Sequence, residues 1–271
     1  MNRVLVIFIS AFGAFALSVF LFLLNPQLQV GQQTFTTVLN SADSYPREMS
    51  GVAHQGEDIY RANGCAYCHS QQVRQTGVRF DVVLTGAGTN AAALQALLPK
   101  LSADQLQKLP LALASGSRDD MLKLAGQLKA ASARAEVQSV PTGPDIARGW
   151  GLRRSVAVDY ILESPVMLGA QRIGPDLANI GARNPDANWQ LLHLYNPQMQ
   201  AAGSVMPPYP YLFEVKKIAF NRPSPDALAL TGKFAPPDGC EVVPTADALR
   251  LVAYLQSLRQ DAPLFEAPLS K

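Results

Sequence analysis

The longest apolar run of the chain lies close to its N-terminus, from Val4 to Leu24, and contains no charged residue. A helix over this run, at ~1.5 Å per residue, reaches about 31 Å, which is close to the hydrocarbon thickness of a bilayer. The alternative is a cleaved signal peptide, whose apolar core spans about 7–15 residues and precedes a small-residue cleavage site. Because no such site follows Leu24, the pattern predicts an uncleaved transmembrane helix that stops at Asn25-Pro26.

Helical periodicity returns in two later parts of the chain. Residues 82–146 are rich in alanine and leucine at helical spacing, interrupted by glycine and proline, and this pattern predicts two or three short amphipathic helices. Near the C-terminus, Leu251, Val252 and Leu255 form an apolar stripe behind Thr245, a residue type that caps helices. We therefore expect a mainly α-helical protein with a helix close to its C-terminus.

Composition and charge exclude several classes of protein. The 271 residues carry 23 Lys+Arg and 21 Asp+Glu, a net charge of +2 that gives no argument for nucleic-acid binding. Three cysteines are too few for a disulfide scaffold. A multi-pass transporter is also excluded, because only one stretch is long and apolar enough to span a bilayer.

The strongest chemical signal is the sequence Cys65-Ala66-Tyr67-Cys68-His69, a C-x-x-C-H pattern typical of c-type haem attachment. Two thiols on one helical turn can add to the two vinyl groups of a haem, and the adjacent imidazole of His69 can then bind the iron. A zinc site is an alternative, but it needs two further ligands and the chain has no second C-x-x-C. A thioredoxin-like dithiol is another alternative, and it needs a strand–turn–helix setting that the preceding residues do not indicate.

A haem in an electron carrier usually has a second axial ligand, and methionine opposite histidine raises its potential. Among the six methionines, Met206 lies in the proline-rich loop Gly203–Pro210, where a regular helix is excluded. We therefore predict Met206 as the second ligand of the iron, with a core methionine as the alternative. His193 is the rival ligand, although its predicted helix makes a packed core or surface histidine the default interpretation.

Met206-Pro207 and the upstream run Gly174-Pro175-Asp176-Leu177 together resemble a class I cytochrome c. In that family the proline carbonyl of the second motif accepts a hydrogen bond from the proximal histidine. The resemblance therefore implies a bond from His69 Nδ1 to the Pro175 carbonyl, which fixes the ring. It also implies that the C-terminal helix crosses an N-terminal helix near a glycine and aromatic residues, for which Gly56, Tyr60 and Tyr254 are available.

A narrower resemblance is to the mono-haem subunit II of cbb3-type cytochrome c oxidases, the FixO/CcoO family. It is carried by the Cys65–Arg74 run, by Arg172–Leu177, by His193–Pro197 and by Ser204–Leu212. Two features depart from the family pattern: Gln75 replaces a usual proline, and residues 82–146 read as an insertion. The resemblance implies one covalent haem c, attached at Cys65 and Cys68 and ligated by His69 and Met206, with Pro175 holding His69.

The expected organisation is a transmembrane anchor at 1–26, a linker at 27–50 and a cytochrome c domain at 51–271. The domain would carry a helical insertion at about 82–146. Trp189 is either a donor to a haem propionate or a core residue. Arg74, Arg172 and Arg183 are candidates for propionate contacts, with an ordinary surface charge as the default interpretation of each.

The resemblance implies electron transfer to the haem–copper subunit I of a terminal oxidase, together with a further c-type cytochrome subunit. A soluble electron donor is an additional candidate partner. The chain would be an electron-transfer subunit without catalysis of its own, anchored in the bacterial inner membrane with its haem domain in the periplasm, and Arg3 agrees with that orientation. Four alternatives remain: the cytochrome subunit of a nitric oxide reductase, a free-standing anchored carrier, a membrane-tethered thiol–disulfide oxidoreductase, and a haem-based gas sensor, which needs an open or displaceable sixth ligand site.

Overall fold

The computed structural model describes residues 3–29, 31–267 and 269. The chain divides into two compact units. The first combines residues 1–48 with 156–166, and the second combines 49–155 with 167–271. Helices form most of the regular structure, as the sequence predicts, and short antiparallel sheets occur in both units.

The first unit begins with one long apolar helix. Helix α1 (Arg3–Val19) continues through a π-helical segment at Phe20–Leu24 into helix α2 (Asn25–Gln29). In the described part of the chain, this is the one helix that is long and apolar enough to cross a membrane. Its length, apolar sequence and exposed side chains are those of a single membrane-spanning segment.

The predicted stop of this helix at Asn25-Pro26 is wrong, because the helix ends at Gln29. Proline has no N–H, and its ring collides with the carbonyl four residues earlier in a regular α-helix. Here the turn before Pro26 is widened, so that the Asn25 N–H donates to the Phe20 carbonyl five residues back. A π-type turn of this kind lets a helix continue through a proline.

The remainder of the first unit contains a small hairpin. Strands β1 (Thr36–Thr37) and β2 (Ser44–Tyr45) pair antiparallel. The buried Tyr45 hydroxyl donates to Asp159 Oδ1 at 2.7 Å, which ties the hairpin to the 3₁₀ turn at Ala157–Tyr160. The segment that we expected to be a linker, residues 27–50, therefore contains local structure.

The second unit is built from nine α-helices, five strands and several short 3₁₀ turns within the described residues. Its elements, in chain order, are α3 (Gly51–Ala62), α4 (Cys65–Cys68), β3 (Gly77–Gly86), α5 (Ala91–Leu97), α6 (Ala103–Leu106), β4 (Leu111–Gly116), α7 (Arg118–Ala130), β5 (Arg134–Thr142), α8 (Pro144–Ala147), α9 (Ile180–Arg183), α10 (Ala187–Tyr195), β6 (Phe213–Lys217), β7 (Cys240–Pro244) and α11 (Ala246–Ser257). Strands β6 and β7 form an antiparallel hairpin that leads into α11.

Helices α3 and α11 pack closely and form the centre of the larger apolar core of this unit. A Cβ atom added to Gly56 would lie 1.9 Å from the Arg250 carbonyl oxygen, so a side chain at this position is excluded by the crossing. The rings of Tyr60 and Tyr254 meet beside it at 5.2 Å between centroids. Thr245 caps α11 by accepting a hydrogen bond from the Ala248 N–H. The crossing implied by the cytochrome c resemblance is therefore present.

The expectation of a helical insertion at 82–146 requires correction. The segment contains α5, α6 and α7, but it also contains a three-stranded antiparallel sheet in the order β4-β3-β5. The first strand begins at Gly77, ahead of the expected boundary. The insertion has an apolar core of its own, in which strand residues Val82 and Leu84 pack against Leu94, Met121 and Leu128 from the helices.

Candidate functional site

The C-x-x-C-H motif follows α3 at a sharp reversal of the backbone. Gly64 has φ +68°, in the left-handed region that ends helices, and a Cβ there would lie 2.9 Å from the Tyr67 ring. The short helix α4 begins at Cys65, and the His69 N–H donates to the Cys65 carbonyl at 3.0 Å. One helical turn therefore presents both thiols and the imidazole together.

The imidazole of His69 is held from behind by the Gly174-Pro175 loop. His69 Nδ1 lies 2.8 Å from the Pro175 carbonyl oxygen, which is the contact that the resemblance implies. Since a carbonyl only accepts, Nδ1 carries the proton and the lone pair is left on Nε2. A Cβ on Gly174 would lie 2.3 Å from His69 Cε1, so the ring needs a glycine at this position.

Burial lowers the pKa of His69 by desolvation, and this effect exceeds the opposing influence of the Pro175 hydrogen bond and the Asp176 carboxylate. The neutral imidazole is therefore the favoured form near neutral pH. This is also the form that binds a metal through Nε2.

The motif opens onto a cavity of about 910 Å³, near the upper end of the range for small-molecule and cofactor sites. Cys65, Cys68 and His69 contribute to its lining, together with Pro175 and Met206. Much of the remaining lining is apolar, supplied by Ile173, Leu177, Ile180, Leu194, Val205 and Leu255. A cavity of this volume that carries two thiols, an imidazole and a thioether in an apolar lining fits a haem in size and in the chemistry of its side chains.

Met206 is the one methionine that lines this cavity among those that the structure describes. Its loop is held by the Met206 N–H, which donates to Ser204 Oγ at 3.3 Å. By contrast, Met121 and Met167 are buried in apolar clusters, as expected of packing residues. Met1 lies outside the described residues.

Trp189 and His193 also line the cavity. Both project from α10, and their rings stack at 4.9 Å between centroids with an interplanar angle of 9°. His193 Nδ1 is buried without a hydrogen-bond partner in the structure. Desolvation, followed by the influence of His69, lowers the pKa of His193. Buried polar atoms almost always have a partner, so an unpaired imidazole nitrogen beside this cavity is consistent with a bound group.

Two arginines give the cavity a positive region. Arg148 and Arg183 both line it, as does Trp150. The Arg148 guanidinium lies 4.9 Å from the centroid of the Trp150 ring, and Arg183 donates to the Asp176 carbonyl at 3.1 Å. Burial lowers the pKa of Arg183. Two cations beside an apolar cavity match the two propionate carboxylates of a haem, so these residues fit the cofactor as well.

The structure separates the three arginines that we considered as propionate contacts. Arg183 lines the cavity, whereas Arg74 and Arg172 are not among its lining residues. Arg172 instead forms ion pairs with Asp145 and Asp176. Sequence reasoning missed Arg148 and Trp150, which follow the insertion directly and belong to no motif that points to haem.

The arrangement defines a candidate site for a haem, in which two thiols (Cys65 and Cys68), an imidazole (His69) and a thioether (Met206) line one cavity. Residues 147–234 match the family model described as cytochrome c oxidase, mono-heme subunit/FixO. This match confirms the resemblance to the FixO family, and it covers the segment that contains Pro175, Trp189 and Met206. The comparison with curated proteins finds no match.

Proposed function

We propose that this protein is a membrane-anchored mono-haem cytochrome c that passes electrons to the haem–copper subunit of a cbb3-type terminal oxidase. The observation that carries the proposal is the shared cavity of Cys65, Cys68, His69 and Met206, with His69 held by the Pro175 carbonyl. The family match supports the assignment to an oxidase complex. The single apolar helix supports the anchor.

In this proposal Cys65 and Cys68 would hold the haem covalently, each thiol adding across one vinyl double bond with its sulfur on one carbon and its hydrogen on the other, so that no oxidant is needed. His69 would bind the iron through Nε2, and the donation of its Nδ1–H to Pro175 would make the ring a stronger electron donor. Met206 would be the second protein ligand of the iron. Arg148, Arg183 and Trp189, which also line the cavity, would hold the propionates.

The bound haem supplies reversible one-electron chemistry. The protein supplies the low-dielectric cavity, the two ligands and the anchor that keeps the carrier at the membrane. Reduction of oxygen belongs to the partner: haem–copper subunit I accepts the electron, and a further c-type cytochrome subunit or a soluble donor delivers it. Covalent haem attachment takes place outside the cytoplasm, so the haem domain faces the periplasm and Arg3 stays on the inner side.

Co-purification tests the oxidase assignment. The full chain, affinity-tagged in its own membranes, should bring down a haem–copper subunit with a second haem c polypeptide. Retrieval of a nitric oxide reductase core would support the first alternative. Recovery of the tagged chain alone, with a reversible c-type spectrum, would support the free-standing carrier.

The thiol–disulfide alternative is disfavoured by the environment of the thiols. Burial raises the pKa of Cys65 to about 11. A redox-active dithiol needs a thiol that ionises readily, with a pKa near or below neutral. Two titratable thiols and no haem absorption in the purified chain would reverse this preference.

A further inference from the structure

A buried ion network lies directly behind the proximal histidine. The Arg172 guanidinium binds Asp145 with both branches of its fork, Nη1 to Oδ1 at 3.0 Å and Nη2 to Oδ2 at 2.7 Å. Nη2 also reaches Asp176 Oδ2 at 3.1 Å. Asp145 is 2% exposed and Asp176 is fully buried. The network therefore has two buried carboxylates against one guanidinium, whose side chain is 20% exposed.

The same groups bind both chain segments that position His69. On one side, Arg172 Nε donates to Ser70 Oγ at 2.8 Å, and Ser70 Oγ donates to Asp176 Oδ2 at 2.6 Å. Gln72 contributes its N–H to Asp176 and its carbonyl to Arg172. On the other side, Asp176 follows Pro175, whose carbonyl accepts from His69. Ser70 follows His69 directly, so the network fixes both ends of that hydrogen bond.

Asp145 comes to this network from the end of the insertion. Its Oδ2 accepts the Arg74 N–H at 2.8 Å, and the nearby Thr76 N–H donates to the Thr142 carbonyl at 2.9 Å. A Cβ on Gly143 would lie 3.0 Å from Thr76 N, so the two ends of the insertion approach as closely as glycine allows. The two ends of the insertion are thus joined at its base, and this junction places the Asp145 carboxylate in the network behind His69.

Ionisation of this carboxylate is favoured by its partners. Burial alone would raise the pKa of Asp145, but the Arg172 hydrogen bonds and the Arg74 N–H outweigh it and hold that pKa below its ordinary value. The charged form also lets the planar guanidinium bind in a fixed orientation. A guanidinium held in this way can span Ser70, Gln72 and Asp176 at once.

We propose that Asp145 and Arg172 are positioning residues for the proximal ligand, through which the base of the insertion sets the His69–Pro175 hydrogen bond and the redox potential of the site. The inference rests on the proposed function and deepens it. Neither residue touches the cavity, so both act through the loop residues that they hold.

Charge and geometry make separable contributions. Asp145→Asn removes one buried negative charge, and it replaces one of the two carboxylate oxygens that accept from Arg172 with an amide nitrogen, which cannot accept. Arg172→Lys keeps the positive charge, but an ammonium group cannot make the planar set of contacts to Asp145, Ser70 and Gln72. If the network acts only through its charge, the midpoint potential should change in Asp145→Asn alone. If it positions His69, the potential should change in both Asp145→Asn and Arg172→Lys.

The test uses the full chain in detergent with ¹⁵N-labelled histidine, and it compares wild type with Asp145→Asn, Arg172→Lys and the milder Ser70→Ala. Asp119→Asn is the matched control, because Asp119 is an exposed carboxylate in α7 of the same insertion. The readouts are the hydrogen-exchange rate and tautomer of the His69 Nδ1–H, and the midpoint potential of the haem.

We expect faster exchange of the His69 Nδ1–H, by about tenfold or more, in Arg172→Lys and Asp145→Asn, and a smaller increase in Ser70→Ala. The midpoint potential should move upward in the first two, because a less firmly bonded imidazole donates less to the oxidised iron. Unchanged exchange and potential in folded Arg172→Lys and Ser70→Ala would overturn the proposal, and so would an equal shift in Asp119→Asn.

This test and the test of the proposed function can fail separately. Absence of covalent haem in wild type would refute the proposed function. The tautomer and exchange of His69 can still be measured in that chain, since the His69–Pro175 bond belongs to the protein. Loss of the Nδ1–H tautomer in the variants of a haem-free chain would support the positioning role alone.

Discussion

The crossing of α3 and α11 gives a quantitative prediction for Gly56→Ala. The added methyl would lie 1.9 Å from the Arg250 carbonyl oxygen and 2.8 Å from Tyr254 Cβ, against ordinary contacts of 3.4–4 Å. The helices must move apart by more than 1 Å, and overpacking of this kind costs about 1–3 kcal/mol. Alanine returns about 0.5–1 kcal/mol through its better helix propensity. The clash is with a backbone carbonyl, which cannot rotate away, so the upper end of the overpacking cost, about 3 kcal/mol, applies and we expect a net loss of about 2 kcal/mol.

Gly126→Ala is the matched control for this prediction. Gly126 lies in α7, and a Cβ there would meet nothing within 4 Å. The helix propensity term then acts alone and should stabilise by about 0.5–1 kcal/mol. Circular dichroism of the full chain during heating would measure both variants. For a domain of this size we expect an apparent Tm about 4–8 °C lower for Gly56→Ala and slightly higher for Gly126→Ala. A Gly56→Ala chain as stable as wild type would refute the crossing.

Three other predictions concern the site. Gly174→Ala should displace the His69 ring, weaken a hydrogen bond worth about 1 kcal/mol and raise the midpoint potential in a redox titration; an unchanged potential would contradict the contact. Met206→Ala should open a coordination position that binds added imidazole, seen as a spectral shift that Met199→Ala lacks; a six-coordinate spectrum in Met206→Ala without added ligand would point to another side chain. Asp145→Asn should lower the free energy of unfolding near pH 7. Because the folded-state pKa of this carboxyl is lowered, the difference from wild type should vanish as the pH falls through that pKa, below about 4. Unfolding measured as a function of pH checks this prediction.

The parts of the site that are contiguous in sequence could be predicted from it. Cys65, Cys68 and His69 share one turn, so their spacing alone indicates their joint chemistry. The Pro175 contact came from a motif resemblance, because no local rule brings residues 69 and 175 together. Arg172 lies in one of the family motifs, but Asp145 lies in none, and only the closure of the insertion brings Asp145 to Arg172 behind the histidine.

The insertion shows where pattern reasoning failed. Leu111–Gly116 reads Leu-Ala-Leu-Ala-Ser-Gly, and its alanines and leucines favour a helix by propensity. In the structure it forms strand β4, because pairing with β3 satisfies its backbone and places Leu113 and Ala114 against the core of the insertion. Tertiary pairing outweighs the weak local preference of so short a segment. The available signal for a strand was the shortness of the apolar run Leu111–Ala114 between Pro110 and Gly116, which is compatible with a buried strand as well as with a helix.

The anchor shows the opposite case, in which a local rule was applied too strictly. Pro26 usually terminates a helix, and the sequence prediction stopped there. The π-helical turn at Phe20–Leu24 shifts the hydrogen bonding of the turn before Pro26, and the helix continues to Gln29. A widened turn of this type depends on backbone hydrogen bonds that residue identity alone does not reveal.

Covalent haem at the C-x-x-C-H motif is the central claim, and a pyridine haemochrome spectrum of the acid–acetone-extracted full chain tests it most directly. The chain should be expressed with c-type maturation enabled, beside Cys65→Ser, Cys68→Ser and the control Cys240→Ser, which removes the remaining cysteine in β7. We predict one haem c per wild-type chain that resists extraction, retained in Cys240→Ser and altered or lost in the other two variants. Complete extraction of haem from the wild-type chain would contradict the account.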